Sequence, residues 1–366
     1  MSLSAEPRSG ETYLRTRGAP LYLVPKLHLG TPLSCEAALR LLPCTVPSSV
    51  VLTSPPSGRG FFQRLTGTLE LIKFSHSVFA LPFALSAMFV AAQGLPPLRV
   101  LLWILGCLVS ARTAAMGFNR WADWDHDVFN PRTRRRSQLG TRGTTMTLCL
   151  VALAAFVLGC SQLNLLCLAL CPVACLIILG YSLTKRFTDY THAVLGLALA
   201  AAPMGAWAAT TGNLLSPLPW LLAAAVWCWV FGFDLIYATQ DIDFDRAARL
   251  HSFPARHGAA AALRLARVLH VATWLLLGVF GWMAHLSLPY WLAMAFILGT
   301  LVFEHRLCRT GDLARINVAF FHMNALVGLC LVLGVAGSIE WPSHERVWMI
   351  DGQLEGHPVS MSGAVK

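Results

Sequence analysis

The stretch "GFNRWADWDHDVFNPRTRRR" (117–136) places Asn119, Asp123 and Asp127 four residues apart at the end of an apolar run, among five arginines. A second stretch, "FGFDLIYATQDIDFDRAARLHSFPARHG" (231–258), spaces Asp234, Tyr237, Asp241 and Asp245 in a similar way. At about 100° per helical residue, Tyr237, Asp241 and Asp245 fall within about 60° of Asp234, while Asp243 falls about 180° away. Asn119, Asp123 and Asp127 share a face about 80° wide, and Asp125 points off it. Acids on one stripe repel each other unless a cation neutralises them. Carboxylate oxygens are hard ligands, and Mg2+ typically takes one or two of them plus substrate phosphates. Two acidic helix ends therefore read as two clamps on a metal–diphosphate. Lys185, Arg132, Arg134 and Arg256 would neutralise remaining phosphate charge, arginine through paired hydrogen bonds and lysine as a point charge. The blander reading, solvated charges beside lipid headgroups, leaves the helical phase of the seven inward positions unexplained.

The elements that carry these stripes are membrane spans. The chain has 366 residues, of which 56% are hydrophobic and only 13% charged. A soluble domain carries about 25% charged residues. The runs 74–98, 143–184, 190–233, 268–303 and 316–339 contain no Asp, Glu, Lys or Arg. A spanning helix needs roughly 20 apolar residues, so the two longest runs each hold two spans and a turn, broken at "GCSQLN" and "TTGNLLSPLP". The expected spans are roughly 75–93, 98–118, 144–159, 164–181, 191–210, 217–237, 264–283, 288–304 and 317–338. This predicts an all-α polytopic bundle of about nine helices around a cavity open to the cytoplasmic face.

Charge distribution sets the orientation and excludes one class of partner. The formal net charge is +10. Its basic residues fall before the first span and in the even-to-odd connections, whereas the opposite connections hold Arg99 alone. Lys and Arg concentrate on cytoplasmic loops. The positive balance therefore reports topology, with both acidic helix ends on the cytoplasmic side, and does not point to nucleic acid. Cys167, Cys171 and Cys175 recur at helical spacing but no His or carboxylate joins them, so they read as small hydrophobes on a packing face. Nothing suggests disulfides.

Residues 1–60 are proline-rich without sustained periodicity, with Glu36 the sole acid between residues 12 and 60. They read as a disordered extension or an over-long start, with a transit peptide as the alternative. Residues 61–340 form the membrane domain, and 341–366 a polar tail.

"NRWADWDHD" resembles the Asn-x-x-x-Asp-x-x-x-Asp motif of the UbiA superfamily of intramembrane prenyltransferases, and "DLIYATQDIDFD" resembles its second motif. The resemblance covers roughly 65–338. "YSLTK" (181–185) is similar to the family's Tyr-x-x-x-Lys, which implies that Tyr181 and Lys185 meet the diphosphate. Arg112, seven residues before Asn119, matches a position near the phosphates, and Lys73 stands where an arginine is common. The local wording is most like the 4-hydroxybenzoate branch and its menaquinone-pathway relatives. Two departures stand out. The usual Arg-Pro-Leu-Pro-x-Gly after the first motif reads "RRRSQLG" (134–140), and Arg120 replaces a common Asp.

The resemblance implies Mg2+-dependent transfer of a polyprenyl group from a polyprenyl diphosphate to an aromatic acid in quinone biosynthesis. Asn119, Asp123, Asp127, Asp241 and Asp245 would hold the metal. Arg112, Lys185, Tyr181, Lys73, Arg132 and Arg256 would meet the diphosphate. Asp234, Tyr237 and Asp241 would serve the aromatic acceptor and the chemistry. The isoprenoid tail lies among apolar spans, and Pro82 and Pro203 kink helices around the cavity. His76 and His126 read as satisfied or interfacial, and His192, beside Asp189, as a boundary residue. The membrane expected is the bacterial inner membrane, with the mitochondrial inner membrane as alternative. Rival readings are haem, chlorophyll or ether-lipid prenylation within the superfamily, a transporter, and a non-enzymatic scaffold. A carrier would place its polar groups near the midplane, and a scaffold leaves the phased acids unexplained.

Overall fold

The structure, a computed structural model, describes residues 79–125, 141–308 and 319–339, with backbone alone at 319–320, 11–14 and 22–25. Lys73, His76, His126, Asp127, Arg132 and Arg134 lie outside the described residues. Two short strands, β1 (Glu11–Leu14) and β2 (Tyr22–Pro25), pair antiparallel with Glu11 opposite Pro25 and Leu14 opposite Tyr22. They belong to a separate unit, Met1–Thr53. Every other described element is helical and belongs to the second unit.

The membrane unit begins with α1 (Leu81–Ala92) and α2 (Leu98–Ala122). Thr141 caps α3 (Arg142–Leu163) by accepting from the Thr144 backbone N–H while Thr144 returns the favour, a reciprocal pair that closes two orphan donors. Asn164 then starts α4 (Leu165–Gly180), accepting from Cys167 N and donating to the Ala208 carbonyl. The expected break at "GCSQLN" is therefore narrowed to this single residue, because the Ser161 hydroxyl bonds back to the Leu158 carbonyl and the helix runs on. A 3-10 turn (Tyr181–Arg186) follows, then α5 (Thr191–Thr211). Gly212 ends α5 at φ 73°, in the left-handed region where glycine carries no Cβ penalty. Ser216 and Pro217 open α6 (Pro217–Ala238) with a side-chain cap and a preset φ.

A 3-10 turn (Thr239–Asp241) and α7 (Ile242–Ala247) continue α6, followed by α8 (Phe253–His257) and α9 (Ala259–Met283). α9 starts five residues before the expected span, since Gly258 sets its N-terminus and an alanine run supplies the first turn. α10 (Leu288–Cys308), a π-helical turn (Ala319–Met323) and α11 (Asn324–Ser338) complete the unit. Among the described residues eight helical segments are long and apolar enough to cross a membrane, and α1 is a shorter apolar helix in the place of the first expected span. Pro203 lies inside α5 as expected. Pro82 does not kink a helix: it sits in the first turn of α1, where its missing N–H breaks no ladder bond.

Packing is circular. α1 lies against α5, α5 against α6, α6 against α9, α10 against α11, and α11 returns to α1. α6 is the most enclosed span, with Trp229, Leu222 and Leu235 fully buried. α2 and α3 pack closely beside this ring, and α4 bridges them to α5. Leu165, Leu176, Phe296 and Trp282 are exposed on the outer surface, the pattern of side chains that face lipid rather than water. The chain is an integral membrane protein.

Candidate active site

The first two residues of the first acidic motif, Asn119 and Asp123, stand at the last turn and C-cap of α2. Asn119 Nδ2 donates to Asp123 Oδ2 at 2.9 Å, and Asp123 ends the helix with its own N–H on the Asn119 carbonyl. Asp125, by contrast, is exposed and meets Arg142 at 3.6 Å, so it turns away from its neighbours as the helical phase requires. The second motif begins on α6 with half-buried Asp234 and Tyr237. The 3-10 turn interrupts the uniform α-helix assumed for 234–245, but it changes the phase by only about 20° per residue. Asp241 and Asp245 remain buried, and Asp243 is exposed.

Lys185 joins the two motifs. Its 3-10 turn is strapped to both sides: Arg186 Nη2 donates to the Ala122 carbonyl at the end of α2, and His251 N donates to the Lys185 carbonyl. The Lys185 ammonium stands within electrostatic reach of Asp245, Asp241, Asp234 and Asp123. One cation thus faces acids from both helices. Tyr181, one turn earlier, lies close to Arg112, Arg120 and Asp123. Arg112 Nε is buried and meets no acceptor among the described residues.

Below this polar cluster runs an apolar cavity of about 170 Å³ among α2, α3, α4 and α5. Arg112 and Tyr181 form one end. Ile104, Phe156, Leu199 and Ala202 line the interior, and Leu163, Cys167 and Ala208 mark the other end. Cys160 and Cys171 also face it. The nine described cysteines are free thiols.

The site includes a residue that sequence reasoning misplaced. His192 is a core residue, 1% exposed, with Nδ1 2.6 Å from Asp234 Oδ2. Asp189 instead binds His251 and Arg256, so the sequence neighbours His192 and Asp189 have separate partners. Burial alone would raise the Asp189 carboxyl; hydrogen bonds from Arg256 and His251 outweigh it and hold the group below the usual carboxylate range. Arg256 is thereby engaged in an ion pair with Asp189, its side chain otherwise largely exposed.

A family model for the UbiA prenyltransferase family matches residues 80–326. The chain belongs to the UbiA family of prenyltransferases. Among curated relatives of this UbiA-family enzyme, the 4-hydroxybenzoate octaprenyltransferase of Nitrosospira multiformis is 32% identical over 252 residues, covering 68% of this chain and 86% of that one. A UbiA homologue from Aeropyrum pernix superposes with a TM-score of 0.65 at 29% identity, over 71% of this chain and 96% of that one. A UbiA homologue from Archaeoglobus fulgidus, solved with GPP and Mg2+, shares the fold at a TM-score of 0.59 and 18% identity, over 74% and 99% of the two chains.

No three His, Cys, Asp or Glu side chains among the described residues converge into a closed metal cage. Two carboxylates and a substrate phosphate are enough for Mg2+, however. Asp241 and Asp245 are buried side by side, and Asp245 Oδ2 has no hydrogen-bond partner among the described residues. An unsatisfied buried carboxylate oxygen is costly unless something positive meets it. The residues fit an oxygen-seeking cation that shares its ligands with a substrate.

Proposed function

We propose that this UbiA-family enzyme transfers a polyprenyl group from a polyprenyl diphosphate to an aromatic acid of the 4-hydroxybenzoate or naphthoate kind, with Mg2+, in quinone biosynthesis. The observation that carries the reading is the meeting of acids from two helices around Lys185, one turn from Tyr181, which with Arg112 forms the end of an apolar cavity. Such a site accommodates an ionic head and a long hydrocarbon in one molecule. The names of the curated relatives support the aromatic acceptor, and the ligands of the Archaeoglobus homologue support the diphosphate and metal.

In this reading Asn119, Asp123, Asp127, Asp241 and Asp245 hold Mg2+, which when bound withdraws charge from the leaving diphosphate as a Lewis acid. Lys185, Arg112 and Lys73 add fixed positive charge where negative charge grows, so little reorganisation is needed as the C–O bond opens. Tyr181 lines the same mouth, and Arg132 meets the diphosphate with it. Arg256 acts indirectly by fixing Asp189 and the α8 turn. The allylic cation forms within apolar walls that exclude water, and the electron-rich ring attacks it. Asp234, held by His192, and Tyr237 orient the acceptor and receive the ring proton. The hydrocarbon tail extends past Ile104 and Phe156 toward Ala208. The catalytic unit spans 61–340, and the site faces the cytoplasm from a bacterial inner membrane, the side on which basic loops collect.

The test is direct. Full-length protein in lipid nanodiscs is incubated with Mg2+, a labelled polyprenyl diphosphate and a panel of aromatic acids. The expected result is a prenylated aromatic, lost on chelation and restored by added Mg2+. Folded protein that forms no such product with any acceptor on the panel overturns the reading.

A further inference from the structure

A second cavity, of about 410 Å³, opens between α9 and α10, away from the acidic motifs. Arg267, His270 and Trp274 line it from α9, and Leu301, His305 and Arg306 from α10. Arg267 stands about 12 Å along α9 from Ala259, and Arg306 two residues before the end of α10. Both therefore lie at the end of the bundle that carries the acidic motifs, near the depth of lipid headgroups. Both guanidinium groups are exposed, and neither meets a carboxylate among the described residues.

The acid of this neighbourhood, Glu304, turns inward. It is 1% exposed, and its Oε1 accepts from Asn324 Nδ2 on α11. His270 is likewise interior, fitted against Gly232 of α6, where an added Cβ would lie 2.5 Å from the imidazole. It fixes His305 by a 3.0 Å contact between His270 Nδ1 and His305 Nε2. The mouth thus keeps two arginines and one imidazole, while the neighbouring carboxyl group is held within the core. Toward the bilayer interior the lining changes to Val271, Leu298 and Val302, all exposed. A basic pocket between membrane helices, continued by an apolar strip, has the layout of an acidic lipid.

We propose that this cavity binds the phosphate headgroup of one anionic phospholipid, with its acyl chains along Val271 and Val302. The site is independent of the prenyl-transfer reading, because its readout is bound lipid rather than turnover.

The full-length protein is reconstituted in vesicles of phosphatidylcholine containing phosphatidylglycerol, extracted in mild detergent, and its retained lipids counted by native mass spectrometry. Wild type is expected to retain phosphatidylglycerol in preference to phosphatidylcholine. Arg267→Gln and Arg306→Gln each lower that retention about fivefold. Arg264→Gln, an exposed arginine on the same helix outside the cavity, leaves it unchanged. The substituted side chains are exposed, and circular dichroism checks that the helices persist. Equal retention of the two lipids, or equal losses in all three variants, overturns the proposal. So does displacement of phosphatidylglycerol by inorganic phosphate, which assigns the pocket to a soluble anion.

Discussion

His192 Nδ1 lies 2.6 Å from Asp234 Oδ2, joining α5 to the first acid of the second motif. With the carboxylate ionised the imidazole N–H donates to it, and the carboxylate is held in one orientation toward the site. Loss of a hydrogen bond to a charged group costs about 1.5–3 kcal/mol. His192→Ala is therefore expected to lower kcat roughly ten- to hundredfold, with His192→Gln recovering part of the loss. Steady-state kinetics with varied aromatic acid measures it, and an alanine variant with wild-type kcat excludes the positioning role.

Burial sorts the acids of the two motifs. Asp241 and Asp245 are enclosed, whereas Asp243 and Asp125 are exposed. Asp241→Ala, Asp245→Ala and Asp127→Ala are expected to abolish turnover, by on the order of a thousandfold or more. Asp243→Ala and Asp125→Ala are expected to stay near wild type. Comparable losses in both groups would refute the inward–outward division.

Asp189 predicts a pH dependence of stability. Its folded carboxyl titrates below its ordinary value because Arg256 and His251 bind the charged form. A depressed acid contributes stability that is complete above its unfolded value, about 3.9. The contribution is lost as pH falls through the lower, folded value. The melting temperatures of wild type and Asp189→Asn should differ at pH 7 and converge in the acid range. A gap that widens toward low pH would reverse the assigned sign.

Gly196 lets α5 approach α6. A Cβ there would stand 2.8 Å from the Trp227 carbonyl oxygen, and Trp227 Nε1 binds the Ala193 carbonyl at 2.9 Å just beside it. His192 is one turn away, so the same approach brings it to Asp234. Gly196→Ala is expected to destabilise by about 1–3 kcal/mol and to reduce turnover. Gly278→Ala, with open space around it, provides the control for thermal unfolding.

The spans and the acidic faces were legible because they are local: uncharged length marks a membrane helix, and four-residue spacing marks a face. Asn164 and Ser216 also signalled their turns through ordinary capping chemistry. His192 was misplaced because adjacency to Asp189 suggested a shared surface, whereas its partner is 42 residues away. A signal was nevertheless present. His192, Gly196, Ala200 and Pro203 recur at helical spacing and are all buried, so the small-residue face of α5 points His192 inward. Glu304, His270 and Asn324 come from three different helices, and no spacing within one segment reveals that they meet. The 3-10 turn at 239–241 has no glycine or proline to announce it.

The circular packing has a consequence for how the protein is made. Of the described helices α1 leaves the ribosome first, yet one of its two flanking helices, α11, is the last of them to be synthesised. Until that final segment enters the bilayer, the bundle has an open seam with α1 on one lip. Closure therefore depends on the most distant contact in the unit, and such long-range pairings form slowly. Truncation before Asn324 would leave every earlier helix intact and still produce an unsealed assembly.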